Sequence, residues 1–120
     1  LVGGVGIMNI MLISVNQRIR EVGLRKAVGA KNATIMIQFL IESVTITLIG
    51  GIVGIVLGVL ISFVISLVVI NIFGYEWEFI VSWQSIAVAT TVSVLIGLVF
   101  GMYPARKASK ISPMEALRYE

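Results

Sequence analysis

The stretch that decides the fold is residues 43–75, SVTITLIGGIVGIVLGVLISFVISLVVINIFGY, which contains no charged side chain. As a single α-helix it would be about 50 Å long, well beyond the ~30 Å hydrocarbon core of a bilayer. We therefore predict a long helix over 35–72 that tilts, kinks near Gly50-Gly51, or extends beyond one membrane face. The chain is 58% hydrophobic over 120 residues, against roughly 45–50% in soluble domains. So short a soluble chain could not bury this many apolar side chains, so lipid is the expected solvent.

Two further uncharged runs flank this helix. Residues 1–17 are mostly apolar but slightly short for a span, which needs about 20 residues. We expect a first span that is truncated at its start; the alternative is a buried helix of a soluble protein. Residues 83–104 have the length of a third span, and Pro104 is expected to end it. The segment 73–82 contains Tyr and Trp, which favour the headgroup level, and is predicted to be an external loop.

The charges predict the orientation of these spans. All nine Lys and Arg residues lie in two short segments, five in 18–31 and four in 106–118, while the 73–82 loop has two Glu and no cation. The positive-inside rule places both basic segments in the cytoplasm. The N-terminus is then outside and the tail 105–120 inside. The predicted fold class is an all-α integral membrane protein with three transmembrane helices, a short cytoplasmic coupling helix and a cytoplasmic C-terminal helix.

The cytoplasmic segment 18–34 is predicted to contain a short amphipathic helix between Gly23 and Gly29. The Glu21–Arg25 pair has the i, i+4 order that supports a helix. A small apolar face on such a helix suits docking into a cleft on a cytoplasmic partner. The simpler interpretation is a positive-inside anchor, which needs only basic residues. The apolar face comprises Leu24, Ala27 and Val28.

Small residues recur every four positions in the second predicted helix and again in the third. This spacing lets a second helix approach closely, although membrane helices also tolerate isolated glycines. One register of several small residues favours the packing interpretation. The predicted packing residues are Gly50, Gly54, Gly58, Ser62, Gly97 and Gly101.

The tail contains a helix start signal at residues 112–115. Ser112 would be the N-cap, Pro113 the first helical residue, and Glu115 the third. This pattern predicts an ordered helix near the C-terminal end.

Several classes of chemistry are excluded by composition. The chain has no Cys and no His, which removes disulfides, thiolate chemistry, imidazole bases and the usual zinc ligands. No paired carboxylates, nucleophile–base pair or Walker motif is present. We therefore predict no catalytic, cofactor-binding or metal-binding residue and no ATP hydrolysis by this chain alone.

Four stretches, in this order, resemble the FtsX-like/MacB-type ABC permease family. The most specific is REVGLRKAVGA at 20–30, because it is not a generic hydrophobic pattern. The others are GGVGIMNIML at 3–12, QFLIE at 38–42 and PMEALRYE at 113–120. The resemblance covers essentially the whole chain.

The resemblance implies a partner: an ABC ATP-binding subunit or domain, which would hold the ATP and Mg²⁺. It also implies a preceding span and an external domain, and the pairing of two permeases as a homodimer or heterodimer. The other implied partners are membrane lipid and a possible periplasmic or external adaptor. No nucleic acid is implied. Residues 112–120 match the terminal cytoplasmic helix of the family. The residues that match its ATPase-coupling helix are Arg20, Glu21, Gly23, Leu24, Arg25, Lys26, Ala27, Val28, Gly29 and Ala30.

The expected function is therefore that of a permease subunit in a bacterial or archaeal cell membrane. It would transmit ATP-driven movement to the export or extrusion of macrolides, peptides or lipoproteins. A division-type member that regulates cell-wall hydrolases is the alternative within the family. A helical membrane scaffold without an ATPase is the alternative from another class, and a partner with Walker motifs would separate the two.

Overall fold

A computed structural model describes residues 2–118, except for the side chains of residues 115–117, and all regular secondary structure in this range is helical. This confirms the all-α prediction for the described part of the chain. Between the third and fourth helices, residues 74–82 form an irregular loop. The helices are α1 Val2–Gln17, α2 Ile19–Ala27, α3 Asn32–Val68 with a π-helical extension Val69–Phe73, α4 Trp83–Ser109, and α5 Pro113–Arg118.

The two long helices α3 and α4 pack side by side and give the molecule its elongated shape, 70 × 25 × 19 Å. They are antiparallel, because Gly51 faces Ser93 while Ser43 faces Gly101 further along. Helix α1 lies against α4. The short helix α2 packs against α5 at the end of the molecule where both basic segments lie.

Two helical segments of the described chain are long and apolar enough to cross a membrane, Asn32–Phe73 and Trp83–Ser109. Helix α1, Val2–Gln17, is apolar but shorter. The second and third predicted spans therefore correspond to candidate membrane-spanning helices, and the count of three spans stays a prediction. The role of residues 1–17 as a first span stays a prediction.

The second helix begins slightly earlier than predicted, at Asn32, and is uninterrupted at Gly50-Gly51. Its hydrogen-bonding pattern changes only near its far end, where Val69–Phe73 is π-helical. Asn71 donates a side-chain hydrogen bond to the Leu67 carbonyl oxygen, 2.8 Å away, within this last part. Gly74 then ends the helix with a φ of 67°, a left-handed conformation that glycine adopts without a Cβ penalty.

Helix α4 continues through Pro104 to Ser109, so the prediction that this proline ends the helix is wrong, while the end of the third membrane span at residue 104 stays a prediction. A proline inside a helix removes one backbone hydrogen bond, but tertiary packing can compensate for the loss. Pro104 is fully buried, and Ala105 and Ala108 in the next turn belong to the core. The boundary between the predicted third span, 83–104, and tail, 105–120, thus falls inside one helix.

The buried hydrophobic residues form one cluster at the basic end of the molecule. Four helices, α1 to α4, contribute to it, so this end has a core of its own. Further along α3, no residue from 48 to 65 is buried. The cluster consists of Met11, Val15, Val22, Ile35, Phe39, Ala105 and Ala108.

Candidate functional site

Helix α2 follows α1 almost directly, with Arg18 as the only residue between them. The backbone N–H of Arg18 donates to the Ser14 and Val15 carbonyls, which closes the last turn of α1. Glu21 lies in the first turn of α2 and Arg25 and Lys26 in the last, the order that complements the helix dipole. The sequence therefore makes a short but well-supported helix at this position.

The predicted bracketing of this helix by two glycines is wrong at its first end. Helix α2 begins at Ile19, and Gly23 lies in its middle, buried beside Val22. The ~1 kcal/mol cost of an internal glycine is offset here by packing, since this face of α2 is turned into the protein. Gly29 does end the segment, with a φ of 104° just after the C-cap Val28.

Polar contacts join α2, and Arg18 just before it, to α3. The Arg25 guanidinium donates to the side-chain oxygen of Gln38 and to Glu21, whose carboxylate is 2.9 Å away. Arg18 donates to Glu42 at 3.0 Å. Gln38 and Glu42 are one turn apart on α3, so the two arginines hold the same face of that helix.

Lys26 joins α2 to the other long helix. Its ammonium donates to the carbonyl oxygen of Ser109 and to that of Ile111, the latter 2.6 Å away. Carbonyls at the C-terminal end of a helix have no partner within the helix, so a lysine there satisfies them and complements the dipole. Partial burial lowers the pKa of Lys26, because desolvation disfavours the charged form.

The predicted apolar face of α2 is turned away from the rest of the chain. Leu24 is 51% exposed and Val28 is 86% exposed, and Ala27 between them is also exposed. Arg20 is exposed as well, while Ala30 is partly buried and packs against the core. One side of α2 is therefore fixed to the protein and the opposite side presents an apolar surface.

The structure separates the predicted packing residues into two groups. Gly97 and Gly101 lie against α3: a Cβ at Gly97 would come within 2.8 Å of the Val44 Cα, and one at Gly101 within 2.6 Å of the Ser43 Cβ. The Ser43 hydroxyl also donates to the Gly97 carbonyl oxygen at 2.8 Å, which is a helix–helix hydrogen bond.

The other group lies in open space within this chain. No atom of another element lies within 4 Å of a Cβ built at Gly50, Gly54 or Gly58, and Ser62 is exposed. On α3 it is Gly51, one residue after the predicted stripe, that faces Ser93 of α4. Packing by the stripe therefore stays a prediction.

Helix α5 begins at Pro113, so Ser112 occupies the position that was predicted for the cap. The capping role of Ser112 stays a prediction, and the side chain of Glu115 lies outside the described residues. In the part of the chain that the structure describes, no group of acidic residues is placed to hold a metal ion. The site is thus a set of contacts between helices.

Sequence reasoning predicted none of the contacts between elements around Lys26, Ser43 and Gly51, which are the Lys26 bonds to Ser109 and Ile111, the Ser43–Gly97 bond and the Gly51–Ser93 approach. It also missed the Arg18–Glu42 and Arg25–Gln38 contacts. A basic residue in the last turn of α2 indicated an interaction with carbonyls at the end of a helix, but the sequence did not indicate which helix this would be. Serine or glycine at Ser43, Gly51, Ser93 and Gly97 signalled close packing, but not the register between two helices.

Known proteins have sequences that are similar to this one. The FtsX-like permease C-terminal domain matches residues 1–113. The whole chain is 51% identical to 29% of an uncharacterized ABC transporter permease, YknZ, of Bacillus subtilis. It is 57% identical, over 96% of its length, to 17% of the macrolide export ATP-binding/permease protein MacB of Chlorobaculum tepidum. A MacB of Bdellovibrio bacteriovorus is 52% identical over the whole chain and 18% of that protein.

The chain spans less than a third of the length of these relatives. The apolar helices α3 and α4 agree with the match to the FtsX-like permease C-terminal domain over residues 1–113. This chain belongs to the FtsX-like permease family.

Proposed function

We propose that this chain couples ATP hydrolysis in a partner subunit or domain to export, and that α2 is the element on which the partner acts. The observation that carries the proposal is the two-sided arrangement of α2. Leu24 and Val28 face outward as an apolar surface, while Arg25 and Lys26 fix the helix to the rest of the protein.

The fixed side of α2 is suited to transmit movement. Arg25 contacts α3 through Gln38, and Lys26 contacts the end of α4 through the Ser109 carbonyl oxygen. A displacement of α2 is therefore passed to both long helices together. The shared core, with Val22 of α2 packed in the same cluster as Phe39 and Ala105, adds a mechanical link that does not depend on charge.

The exposed side of α2 is suited to bind a partner that displaces the helix. Leu24, Ala27 and Val28 form a small apolar patch, and small apolar helix faces dock into grooves on partner proteins. The positive-inside rule puts this patch in the cytoplasm, where an ATP-binding partner would be. Names of relatives support export as the outcome, since two of them are macrolide export ATP-binding/permease proteins. Macrolides, peptides and lipoproteins are the substrate classes that we propose.

The test uses the full-length permease with its ATP-binding partner, reconstituted in liposomes. Ala27→Trp adds bulk to the exposed face and should prevent docking while leaving the internal contacts of α2 intact. We expect weaker capture of the partner, or ATP hydrolysis without transport. Ala27 is a better position than Gly29, because any side chain at a φ of 104° would strain the backbone itself.

Ala87→Trp is the matched control, since Ala87 is an exposed alanine on α4 far from α2. It should insert, bind the partner and transport like the unmodified protein. Full transport by Ala27→Trp would reject the coupling role of α2. The basic segment would then be only an anchor that sets orientation.

A further inference from the structure

A cavity of about 510 Å³ lies between the α1–α2 junction, the C-terminal end of α4 and α5. Its lining has apolar side chains on its floor, cations at its rim, and the uncharged polar residue Asn16. Among the described lining residues there is no carboxylate. The floor is made by Val15, Ile19 and Ile111, and the cations are Lys107, Lys110 and Arg118.

The three cations are exposed and none belongs to either of the two ion pairs of the described chain, Arg18–Glu42 and Arg25–Glu21. Like charges around one cavity repel one another, and an anion placed between them would remove that repulsion. The cavity therefore favours a negatively charged ligand.

The floor adds a second requirement. Val15 is fully buried and offers no accessible surface, so the accessible apolar part of the floor is formed by Ile19 and Ile111, which are partly buried. A small inorganic anion would leave this surface in contact with water. A ligand that joins an anionic group to a hydrocarbon chain would cover both parts of the cavity.

The position along α4 matches the headgroup layer of a membrane. The uncharged run of α4 ends at Tyr103, and Lys107 is four residues further on, about 6 Å along the helix axis. Long basic side chains just beyond a span reach the level of lipid phosphates, where each contributes about 1 kcal/mol of attraction to anionic lipid.

We propose that this cavity binds the phosphate headgroup of an anionic phospholipid, with the first methylenes of its acyl chains against the apolar floor. The inference rests on the membrane placement of α4, and it is independent of the coupling role of α2. A bound lipid would connect the end of α1 to the end of α4 through one ligand.

The test is native mass spectrometry of the full-length permease with its ATP-binding partner, released from nanodiscs of mixed phosphatidylglycerol and phosphatidylcholine. The unmodified complex should retain phosphatidylglycerol in preference. Removing the cations in a Lys107→Gln/Lys110→Gln variant should reduce that retention by about tenfold or more, since one cation contributes on the order of fivefold. The matched control is Lys31→Gln/Arg106→Gln, which removes two exposed cations at the same end but outside the cavity lining. Its retention should equal that of the unmodified complex.

Equal retention by the Lys107→Gln/Lys110→Gln variant and the control would overturn the proposal. A separate arm adds soluble glycerol 3-phosphate, which carries the anion without the acyl chains. If it displaces phosphatidylglycerol at equal concentration, the floor is not used and a lipid is the wrong ligand. If the variant keeps its lipid but loses capture of the ATP-binding partner, the cavity is a protein contact and the proposal is also wrong.

Discussion

At the end of the molecule that holds the basic segments, the helices meet around seven buried hydrophobic residues and are joined by the Arg18–Glu42 ion pair, the Arg25–Gln38 hydrogen bond and the Lys26 bonds. The opposite end consists of the rest of α3, the start of α4 and the 74–82 loop. Its aromatic pair, Phe63 and Phe79, meets edge to face with ring centroids 5.4 Å apart. Most of its large apolar side chains are exposed.

The difference reflects two solvents. In lipid, an apolar side chain gains little by leaving the surface, so the helices there are held together by close backbone approach. At the basic end, water is available and burial of apolar area stabilises a conventional core. The basic end therefore has a core that α1 to α4 share, while most large apolar side chains beyond it stay exposed.

The largest expected effect concerns the placement of the two ends on opposite sides of the membrane. Single cysteines at Lys31 and Trp77 report on the basic end and on the loop, respectively. In intact cells, an impermeant thiol reagent should label Trp77→Cys and leave Lys31→Cys unlabelled, because the positive-inside rule keeps the cations in the cytoplasm. Labelling of Lys31→Cys from outside would show that the orientation is the reverse of the predicted one.

Next in size is the cost of adding bulk at a glycine in the α3–α4 contact. Gly97→Leu should destabilise the protein by about 3 kcal/mol, because the new side chain would collide with the Val44 backbone. Gly58→Leu should cost almost nothing within the chain, since no atom lies close to that position. Unfolding in sodium dodecyl sulfate, followed by circular dichroism, measures both.

A different pair of variants, Gly54→Leu and Gly58→Leu, tests the predicted stripe. If the stripe packs against a second permease, Gly54→Leu and Gly58→Leu should reduce crosslinking between protomers in the full-length complex without lowering the stability of either one. Unchanged crosslinking would make the stripe a lipid-facing surface.

A smaller effect is expected at the Lys26 contact. Replacing this lysine by methionine keeps most of the side-chain volume and leaves the Ser109 and Ile111 carbonyls without their donor. The expected loss is roughly 1–3 kcal/mol, the range for hydrogen bonds from a charged group. Lys31→Met, at an exposed position at the same end, is the control and should change the free energy of unfolding by less than about 0.5 kcal/mol. Equal changes in the two variants would mean that Lys26 does not stabilise the end of α4.

The smallest effect belongs to the ion pair between Arg18 and Glu42. Both side chains are partly exposed, so a double-mutant cycle of Arg18→Gln and Glu42→Gln should give a coupling energy of about 0.2–1 kcal/mol. A high-salt buffer should reduce it further, because exposed charges are screened. A coupling energy above this range would show that the pair is a main support of the α1–α3 contact.

Much of the fold was predictable because it follows from local composition. The uncharged run at 43–75 could only be a long helix, and Gly74 and the polar residues after it predicted where that helix would end. The end of α4 was not predictable in this way. Pro104 is a helix breaker by local rules, and only its burial among other helices lets the helix continue.

The candidate site likewise has a part that the sequence predicted and a part that it did not. The 20–30 stretch identified the functional segment, and Gly29 correctly predicted its end. The prediction that Gly23 begins the helix was wrong. In a sequence, a glycine at a helix end looks the same as a glycine at a close contact inside a helix. Which meaning applies depends on what packs against it.

By itself, the sequence determined the solvent, the helical class, the separation of charge between the two ends, and the family. These properties depend on composition and on spacing along one chain. Only the tertiary structure decided which glycines contact another helix, which side of α2 remains exposed, and which carbonyls Lys26 satisfies. Such contacts depend on the register and distance between helices, and these are set by packing among residues far apart in the sequence.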